Sequence, residues 1–356
     1  MNVMKITINY SEEIMKLILK LFEENFLLLK FYKILIVANI RGKSGNYKSL
    51  KVRMANQNEF FSDSEFDEIY AAIQSLNLWT KVYFNELDLI NDLLCEKYDT
   101  NKIIVFNFAR NGVIEGKKSL IPVICDLLNI KYTTCNAFIQ SLCRNKYIWG
   151  NVLYKEGLPV LSNVLISNGK IINNVQIDYD KLYISKPIAE SSSIGISSAD
   201  KINNILLKSN TNRLIAQRLL IGEEFEIPFF ELNGEYYILN PTKIIYKNNI
   251  LNETLSLTND YYYDELELPL EQKEYFKNIV KKACQILNLK KYGRIDFKFD
   301  DKGKAYIIDI ATLPYITKKS SFFYQFNKNN YSYNEIFKCL IVIALLSTNQ
   351  KTEDLT

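Results

Sequence analysis

Short apolar runs alternate with helical patterns in the first third of the chain. Residues 33–40 and 102–109 are almost entirely apolar, which is typical of strands that are buried on both faces. Residues 62–76 and 86–97 instead repeat apolar positions at helical spacing, with Ser62 as a candidate helix cap. Because helices separate the strands, this order predicts a parallel α/β sheet whose ligand-binding loops lie at the carboxyl ends of the strands.

Charged residues interrupt the apolar sequence of residues 11–32. No uncharged stretch reaches the roughly 18 residues that a membrane span requires, and no basic start with a small-residue cleavage site marks a signal peptide. We expect an amphipathic helix that is capped near Ser11 and packs on its own domain or on a second subunit. The interrupting charges are Glu12, Glu13, Lys16, Lys20, Glu23, Glu24 and Lys30.

Strand patterns dominate the second half of the chain. From Asn136 the spacing first predicts one long helix that ends near residues 157–159. Beyond it, alternating residues between turn formers predict strands, and two later segments have helical spacing. The predicted strands are residues 183–187, 214–220, 224–231 and 235–239, and the predicted helices are residues 271–287 and 334–347.

Residues 293–310 predict a β-hairpin, because two alternating runs flank a group of turn formers at 300–303. Successive side chains of a strand point to opposite faces of the sheet. A turn at the centre of this group sets Arg294 opposite Asp309 and puts Asp296 on the same face.

The shared face of this hairpin brings two carboxylates and a guanidinium together. Diagonal neighbours on two strands are roughly 7–8 Å apart, within reach of one divalent ion and the phosphates that it carries. The alternative is a solvated surface on which the acids pair with Arg294 and Lys298, because runs of charge usually face solvent. The hairpin pattern alone does not decide between these two interpretations.

Composition excludes several classes of catalytic site. The chain has 356 residues, of which 48% are hydrophobic and 24% charged, as is typical of a soluble globular protein. A net charge of +4 is too small to indicate a nucleic-acid or membrane surface. Histidine is absent, which excludes a Ser-His-Asp triad, a Cys-His pair and an HExxH zinc site.

The cysteines indicate a reducing compartment. They form no CxxC pair and lie mostly in apolar helical patterns, which fits buried thiols in a cytoplasmic protein. The six are Cys95, Cys125, Cys135, Cys143, Cys284 and Cys339.

Three loops that follow predicted strands have compositions that bear on ligand binding. Residues 42–44 (GKS) follow a strand, but Val37 stands where a P-loop requires its first glycine. Residues 110–112 follow a buried strand and either line a site or form a simple turn. Residues 191–193, three serines before Gly195, offer hydroxyls and N–H groups to phosphate, although a solvent loop has the same composition. No GxGxxG follows a predicted strand, which disfavours a dinucleotide-binding oxidoreductase.

Six sequence blocks, taken in order, resemble the successive blocks of the ATP-grasp superfamily, and most closely those of the D-alanine:D-alanine ligase family. The resemblance covers approximately residues 100–325, whereas the glycine-rich amino-terminal signature of that family is not recognisable in residues 1–100. The blocks are residues 145–146, 183–195, 220–227, 293–300, 306–314 and 317–320.

This resemblance implies an α/β (α+β) chain with the ATP-grasp fold and an amino-terminal Rossmann-like parallel α/β domain. Residues 1–133 would form the amino-terminal substrate-side domain with an extra leading helix. Residues 134–211 would form a central subdomain with the phosphate loop. Residues 212–356 would form a carboxy-terminal subdomain with the metal and substrate site.

The resemblance also implies a nucleotide site of eight residues. Two lysines contact the phosphates, two serines belong to the loop that closes over them, three residues contact adenine, and one carboxylate binds the ribose. In that order they are Lys146 and Lys186, Ser192 and Ser193, Gln217, Arg218 and Leu220, and Glu224. Gln217 replaces the usual Glu, but its amide oxygen still accepts a hydrogen bond from the exocyclic amine.

The catalytic and metal-binding residues implied by the resemblance lie mainly in the hairpin. Asp296 matches the first magnesium ligand, and Asp309 stands where the family has a bridging Glu. Arg294 matches the residue that steadies the substrate carboxylate and the developing oxyanion. Ser192 closes over the phosphates, and Ser320 lies in the block along the path of the second substrate. ATP and Mg²⁺ are therefore the implied cofactors.

Three departures from the family pattern bear on metal and substrate. Ala311 replaces a metal-ligating Asn, and a water can fill that position because magnesium commonly keeps several waters. Tyr315 replaces a Gly and Lys319 replaces a His, both where the second amino acid would bind. With histidine also absent elsewhere, we expect a substrate other than D-alanine.

Together these features predict an ATP-dependent carboxylate–amine ligase that forms an amide or peptide bond through an acyl phosphate. Its expected partners are small amino-acid-like or peptide substrates rather than nucleic acid or a membrane, and a homodimer is left open. The alternative is a catalytically impaired ATP-grasp nucleotide-binding protein that acts as a regulatory or partner subunit. Asp309 and Ala311 motivate that alternative.

Overall fold

The computed structural model describes residues 10–45, 57–209, 213–247, 251–258 and 260–347. The first sheet comprises β1 (Lys33–Ala38), β2 (Thr80–Tyr83), β3 (Ile103–Phe108) and β4 (Lys131–Tyr132), with helices α1 (Tyr10–Leu29), α2 (Asp63–Gln74), α3 (Glu86–Leu94) and α4 (Leu120–Leu127). All its strands are parallel, in the order β2-β1-β3-β4. The crossover helices return the chain to the same end of the sheet, which makes the strands parallel. The predicted parallel α/β sheet is confirmed.

One of the two predicted helix caps is present in this part of the chain. The Ser62 side chain accepts from Glu65 N while the Glu65 carboxylate accepts from Ser62 N, which satisfies two backbone donors at the start of α2. The Ser11 hydroxyl accepts from Asn240 N, and the residues before Tyr10 lie outside the described range, so the cap predicted near Ser11 stays a prediction. The predicted helix itself is confirmed.

The predicted long helix after Asn136 is wrong, because Asn145 divides it into α5 (Ala137–Arg144) and α6 (Lys146–Lys155). Asn145 leaves the helical conformation, with φ −84° and ψ 92°, and its side chain caps α6. An asparagine side chain can bond nearby backbone groups and so competes with a continuous helix. The break puts Lys146 in the first turn of α6, where its N–H donates to Ile188 O.

The middle sheet is antiparallel and has the order β6-β5-β8-β7. Its strands are β5 (Val164–Ser167), β6 (Lys170–Ile171), β7 (Tyr183–Pro187) and β8 (Leu214–Arg218), accompanied by α7 (Ile202–Lys208). Strand β7 has its predicted bounds, and β8 ends two residues before its predicted end. Strands β5 and β6 and helix α7 were not predicted, because they are short and weakly patterned.

The third sheet is built around β9, which pairs with strands on both edges. Its strands are β9 (Glu224–Leu232), β10 (Glu235–Ile238), β11 (Thr242–Tyr246), β12 (Tyr261–Glu265), β13 (Tyr292–Phe299) and β14 (Ala305–Ala311), with α8 (Glu253–Thr258) and α9 (Leu270–Ile286). Its order is β12-β11-β9-β13-β14, and β10 also pairs with β9. Strands β11 and β12 were not predicted.

The hairpin of β13 and β14 is confirmed, but its predicted register is wrong. The structure pairs Arg294 with Ala311 and Asp296 with Asp309, and the register shifts immediately after Asp296. Ile308 is the extra residue of this β-bulge, which no alternation pattern reveals. The bulge brings the two aspartates directly opposite each other rather than diagonal.

One hydrophobic core joins the first sheet to the carboxy-terminal part of the chain. It contains apolar side chains of α1, β1 and β3 together with those of α10 (Ser321–Lys328) and α11 (Tyr333–Leu346). Phe230 of β9 and Tyr292 of β13 belong to the same core, so it also reaches the third sheet. In the described part of the chain, no helix has both the length and the apolar composition needed to cross a membrane. Domain boundaries after residues 133 and 211 stay a prediction.

Candidate functional site

A single cleft contains every residue that the sequence predicted to bind nucleotide, metal or substrate. Strands β7 and β8 of the middle sheet line it together with β9, β13 and β14 of the third sheet. The predicted residues that line it are Lys146, Lys186, Ser192, Ser193, Gln217, Arg218, Leu220, Glu224, Arg294, Asp296, Asp309 and Ser320. Ala311, Tyr315 and Lys319 line the same cleft.

Arg294 lies between two carboxylates on the third sheet. Its Nε and Nη2 donate to the two oxygens of Asp296 at 2.7 and 2.8 Å, and its Nη1 lies 3.1 Å from Glu226 Oε2. Burial disfavours the charged guanidinium, but Asp296 and Glu226 outweigh it and raise the pKa of Arg294 further. Arg294 therefore stays cationic, and a negative charge that develops beside it is stabilised.

Asp309 and two lysines form the other charged group of the cleft. Lys146 Nζ lies 3.7 Å from Asp309 Oδ1. Burial opposes ionisation of Asp309, but Lys146, Lys186 and Arg294 outweigh it and hold the pKa of the Asp309 carboxyl below its usual value. Burial lowers the pKa of the Lys186 ammonium to about 8, although Asp309 favours its charged form. The lysines thus supply buried positive charge that a phosphate can use.

Asp296 and Asp309 are the two carboxylates that could hold a divalent ion. Burial, with Arg294 opposing it and Glu226 and Asp309 reinforcing it, raises the pKa of Asp296 to about 8. Such crowding of buried negative charge fits a cation between the two carboxylates. No group of three or more acidic or thiol side chains suited to a metal occurs within the described ranges. With two carboxylates and no third such ligand in the described segments, a magnesium ion held here would keep several waters.

The serine loop turns sharply beside the cleft. Ser192 and Ser193 both have left-handed backbones, with φ of 54° and 56°. Gly195 has φ 71°, and a Cβ at that position would lie 2.7 Å from Pro187 Cγ, so only glycine fits there without movement. The Ser192 hydroxyl lies 3.4 Å from the Tyr315 hydroxyl. The loop thus lies against β7 of the middle sheet and against the segment that follows β14.

Gln217 and Glu224, which line the cleft, are held in place by hydrogen bonds to neighbouring side chains. Gln217 Nε2 donates to Asn163 Oδ1 at 2.8 Å, which turns its amide oxygen away from Asn163. Glu224 Oε2 accepts from the Tyr246 hydroxyl at 2.7 Å and lies 3.3 Å from Lys298 Nζ. Both side chains are therefore pre-positioned, which lowers the entropy lost when a ligand binds.

The Ser320 hydroxyl both donates and accepts a hydrogen bond within the protein. The Oγ atom donates to Thr317 O at 2.7 Å and accepts from Phe323 N at 3.2 Å as the cap of α10. It lines the cleft, but its hydroxyl already makes two internal hydrogen bonds. Its predicted part in substrate binding stays a prediction.

Two charged residues of the third sheet were not predicted as part of this site. Glu226 lies two residues after Glu224 on β9, and Lys298 two residues after Asp296 on β13, so each shares a face with its predicted neighbour. The register pairs Glu226 directly with Asp296. Period-two spacing was the signal that could have identified both residues.

A second charged cluster, the Glu59 cluster, was also missed because its members are far apart in sequence. The fully buried Glu59 carboxylate lies 3.0 Å from Lys117 Nζ, 3.5 Å from Lys118 Nζ and 3.3 Å from Arg144 Nη2. The Ser191 hydroxyl donates to the same carboxylate at 2.8 Å. Burial opposes its ionisation, but the three cations outweigh burial and hold the pKa of Glu59 well below its usual range.

A family model described as "D-ala D-ala ligase C-terminus" matches residues 155–342. This segment is more than half of the chain and contains the middle sheet, the third sheet and the charged hairpin. The cleft described above therefore lies largely within the matched segment.

Curated relatives and solved structures extend the match beyond that segment. A D-alanine–D-alanine ligase of Flavobacterium psychrophilum is 24% identical over 64% of this chain and 75% of the relative. D-alanine–D-alanine ligase B of Clostridium perfringens is 24% identical over 72% of this chain and 91% of the relative. The crystal structure of a Bacillus anthracis D-alanine–D-alanine ligase complexed with ATP superposes with a TM-score of 0.65 at 18% identity, covering 88% of this chain and 97% of that one.

Proposed function

Since this chain belongs to the D-ala D-ala ligase C-terminus family of ATP-dependent carbon–nitrogen ligases, we propose that it joins a carboxylate to an amine through an acyl phosphate. The predicted family resemblance, ATP-grasp fold and ligase class are confirmed. One observation carries the proposal: a single cleft combines two buried lysines with an arginine set between two carboxylates. The proposed substrates are amino-acid-like molecules or peptides other than D-alanine.

In this proposal the nucleotide lies along the middle sheet. Lys146 and Lys186 bind phosphate oxygens as compact point charges, and Ser192 and Ser193 close over them. The fixed amide of Gln217 accepts from the adenine amine, as its bond to Asn163 favours. The remaining proposed contacts are those of Arg218 and Leu220 with adenine and of Glu224 with the ribose.

Asp296 and Asp309 would hold Mg²⁺ in this proposal. When bound, the ion offsets the charge of the phosphate oxygens. Arg294 now occupies both oxygens of Asp296, so coordination requires the guanidinium to move toward the reacting groups. Ala311 supplies no oxygen ligand from its side chain, which leaves that position to water.

The proposed chemistry has two displacement steps. A carboxylate oxygen of the acid attacks the γ-phosphorus, the bond to the bridging oxygen breaks, and ADP leaves. An amine nitrogen then attacks the acyl carbon, loses a proton, and expels inorganic phosphate as the amide forms. Arg294 stabilises the negative charge on the oxygen during the second step, and correct placement of the reactants supplies the rest.

Two side chains support a substrate other than D-alanine. The Tyr315 side chain lines the cleft and its hydroxyl donates to Glu59 O at 2.6 Å, so the ring is fixed in place. A glycine would leave that volume open to substrate. Lys319 adds a cation to the same cleft wall.

The test is substrate-dependent release of ADP and phosphate. The purified protein is incubated with ATP, Mg²⁺ and a panel of amino acids and peptides, and the products are identified by mass spectrometry. We expect an amide product with at least one pair, and a loss of roughly 10²–10³ in turnover for Arg294→Gln. Absence of substrate-dependent ADP release across the panel would count against ligase activity.

A nucleotide-binding regulatory subunit is the second candidate function. It is favoured by one observation, the pairing of both Asp296 oxygens with Arg294 next to a position that lacks a ligand at Ala311. Titration calorimetry of ATP with and without Mg²⁺ separates the two candidates. A working ligase needs the ion for tight binding, whereas a subunit without a metal site binds ATP equally in both conditions.

A further inference from the structure

Arg110 is a buried arginine that the proposed chemistry does not use. It follows β3 at the carboxyl end of the first sheet, is only 1% exposed, and lines the cleft. Asn39 Oδ1 accepts from the backbone N–H groups of both Arg110 and Asn111, at 2.6 and 2.9 Å, which fixes the start of this loop. The backbone that carries the Arg110 side chain is therefore fixed in the cleft wall.

The Arg110 guanidinium lacks an ionic partner among the described residues. Its Nη2 donates to Pro314 O at 3.2 Å, while its Nε is buried without a hydrogen-bond partner. Its Cζ atom lies 3.9 Å from the centre of the Tyr315 ring. The cation–π contact offsets only part of the cost of burying an unpaired charge.

Gly112 allows the segment that carries Lys117 and Lys118 to pack closely against the loop that follows Arg110. Gly112 has φ +122°, and a Cβ there would lie 2.8 Å from Lys117 Cα, so this approach requires glycine. Lys118 N donates to Asn111 O at 3.0 Å, and Lys118 itself lines the cleft beside Arg110. Burial lowers the pKa of Lys118 well below its ordinary value, and Arg144, Arg110 and Lys117 act in the same direction against Glu59.

Cations outnumber carboxylates at this end of the cleft. Glu59 and its neighbour Glu190 pair with three cationic side chains, Lys117, Lys118 and Arg144, and Arg110 adds a fourth cation that acts on Lys118. Outside the described ranges, the only acidic residues of the sequence are Glu353 and Asp354. An anion from the ligand is the simplest source of the missing negative charge.

We infer that Arg110 and Lys118 form a second anion subsite, which binds a carboxylate that the substrate carries in addition to the one consumed in the reaction. The inference rests on the proposed ligase function and specifies its substrate class as dicarboxylic amino acids or peptides with an acidic side chain. An arginine presents two parallel N–H groups to a carboxylate, and Lys118 adds a point charge. The Tyr315 ring packs against the guanidinium and limits its movement.

The experiment compares acidic amino acids with their uncharged amides. Binding of aspartate and glutamate, in both enantiomers, is measured by calorimetry against asparagine and glutamine, with Mg²⁺ and a non-hydrolysable ATP analogue present. We expect at least one acid to bind about tenfold or more tightly than its amide in the unaltered protein. Equal affinity within every pair overturns the inference.

Two substitutions at Arg110 test whether this residue causes the preference for the acid over its amide. Arg110→Met removes the charge at similar volume and should abolish the preference for the acid, whereas Arg110→Lys keeps the charge but loses the parallel N–H pair and should retain only part of the preference. The melting temperature of ligand-free Arg110→Met should be unchanged or higher, because an unpaired buried charge has been removed. A lower melting temperature with unchanged preference assigns Arg110 a structural role and overturns the inference.

Affinity for the nucleotide analogue identifies the source of the anion. The affinity of Arg110→Met for the nucleotide analogue should stay within about twofold of that of the unaltered protein. A loss of about tenfold or more, measured without amino acid, means that the anion is a nucleotide phosphate and overturns the inference. Two outcomes separate this inference from the ligase proposal. If acids bind selectively but no ADP is released, the ligase proposal fails while the subsite stands. If neutral amino acids support ADP release as well as acids do, the subsite fails while the ligase proposal stands.

Discussion

The pKa of the Lys186 side chain should depend on whether a nucleotide is bound. In the free protein burial lowers the pKa of Lys186 to about 8, with Asp309 and Glu224 opposing burial and Lys146 and Lys298 reinforcing it. A bound phosphate favours the ammonium, so its pKa is higher in the complex. ATP affinity should therefore be full below pH 8 and fall by up to about tenfold per pH unit above it.

Calorimetry between pH 7 and pH 9.5, in two buffers of different ionisation enthalpy, tests this pH dependence. Proton uptake on ATP binding is expected at the upper end of that range. In Lys186→Met the dependence above pH 8 should disappear, and affinity at pH 7 should be lower by about tenfold to a hundredfold. Constant affinity of the unaltered protein over the range would show that Lys186 does not contact phosphate.

Ala311 decides whether the metal site still functions. It lies on β14 opposite Arg294 and lines the cleft. If a water fills the ligand position, Ala311→Asn supplies an oxygen directly and lowers the Mg²⁺ concentration that gives half-maximal ATP hydrolysis. Magnesium titrations of the two proteins measure this. Ala311→Leu is the matched control, because it adds volume without an oxygen, and an unaltered requirement in Ala311→Asn contradicts the water-filled ligand position.

At the scale of elements, Gly222 sets how closely the loop before β9 approaches the end of β13. Gly222 N donates to Phe299 O at 3.0 Å, and a Cβ at Gly222 would lie 2.8 Å from that same oxygen. Because backbone is in the way, Gly222→Ala should separate the two segments and lower the free energy of unfolding by about 1–3 kcal/mol.

Urea denaturation measures the effect of Gly222→Ala. Gly116→Ala is the matched control, because no atom lies within 4 Å of a Cβ there and its backbone is not left-handed. The control should change the free energy of unfolding by no more than about 0.5 kcal/mol. Equal stability of the two variants would mean that the close approach at Phe299 is not required for folding.

At the scale of the whole molecule, helix α1 is part of the main core. Phe22 of α1 is only 2% exposed and belongs to the hydrophobic cluster that includes α11 and the first sheet. Phe22→Ala should lower the free energy of unfolding by about 3–5 kcal/mol, because it leaves a cavity among three elements. Leu27→Ala on the same helix is the control, since Leu27 is 73% exposed and should cost no more than about 0.5 kcal/mol. An unchanged denaturation midpoint for Phe22→Ala would show that α1 does not stabilise the fold.

Local patterns in the sequence determined most of the elements of this protein. The apolar runs of the first sheet and the serine loop are short-range features, because backbone geometry alternates or repeats side chains within a few residues. Twelve predicted site residues line one cleft, since the ordered blocks that carry them belong to one fold. The helix break at Asn145 was missed because one side-chain hydrogen bond decides it.

Tertiary structure alone decided the register of the hairpin and the charge balance of the cleft. The bulge at Ile308 exchanges one local geometry for another of similar energy, and the surrounding sheet selects between them. Glu59 meets Lys118 and Arg144 only when the first sheet and the helices after it come together. Burial then strengthens each electrostatic interaction between these charges and raises the free-energy cost of each unpaired charge, because water is removed. No sequence pattern shows how deeply these side chains are buried.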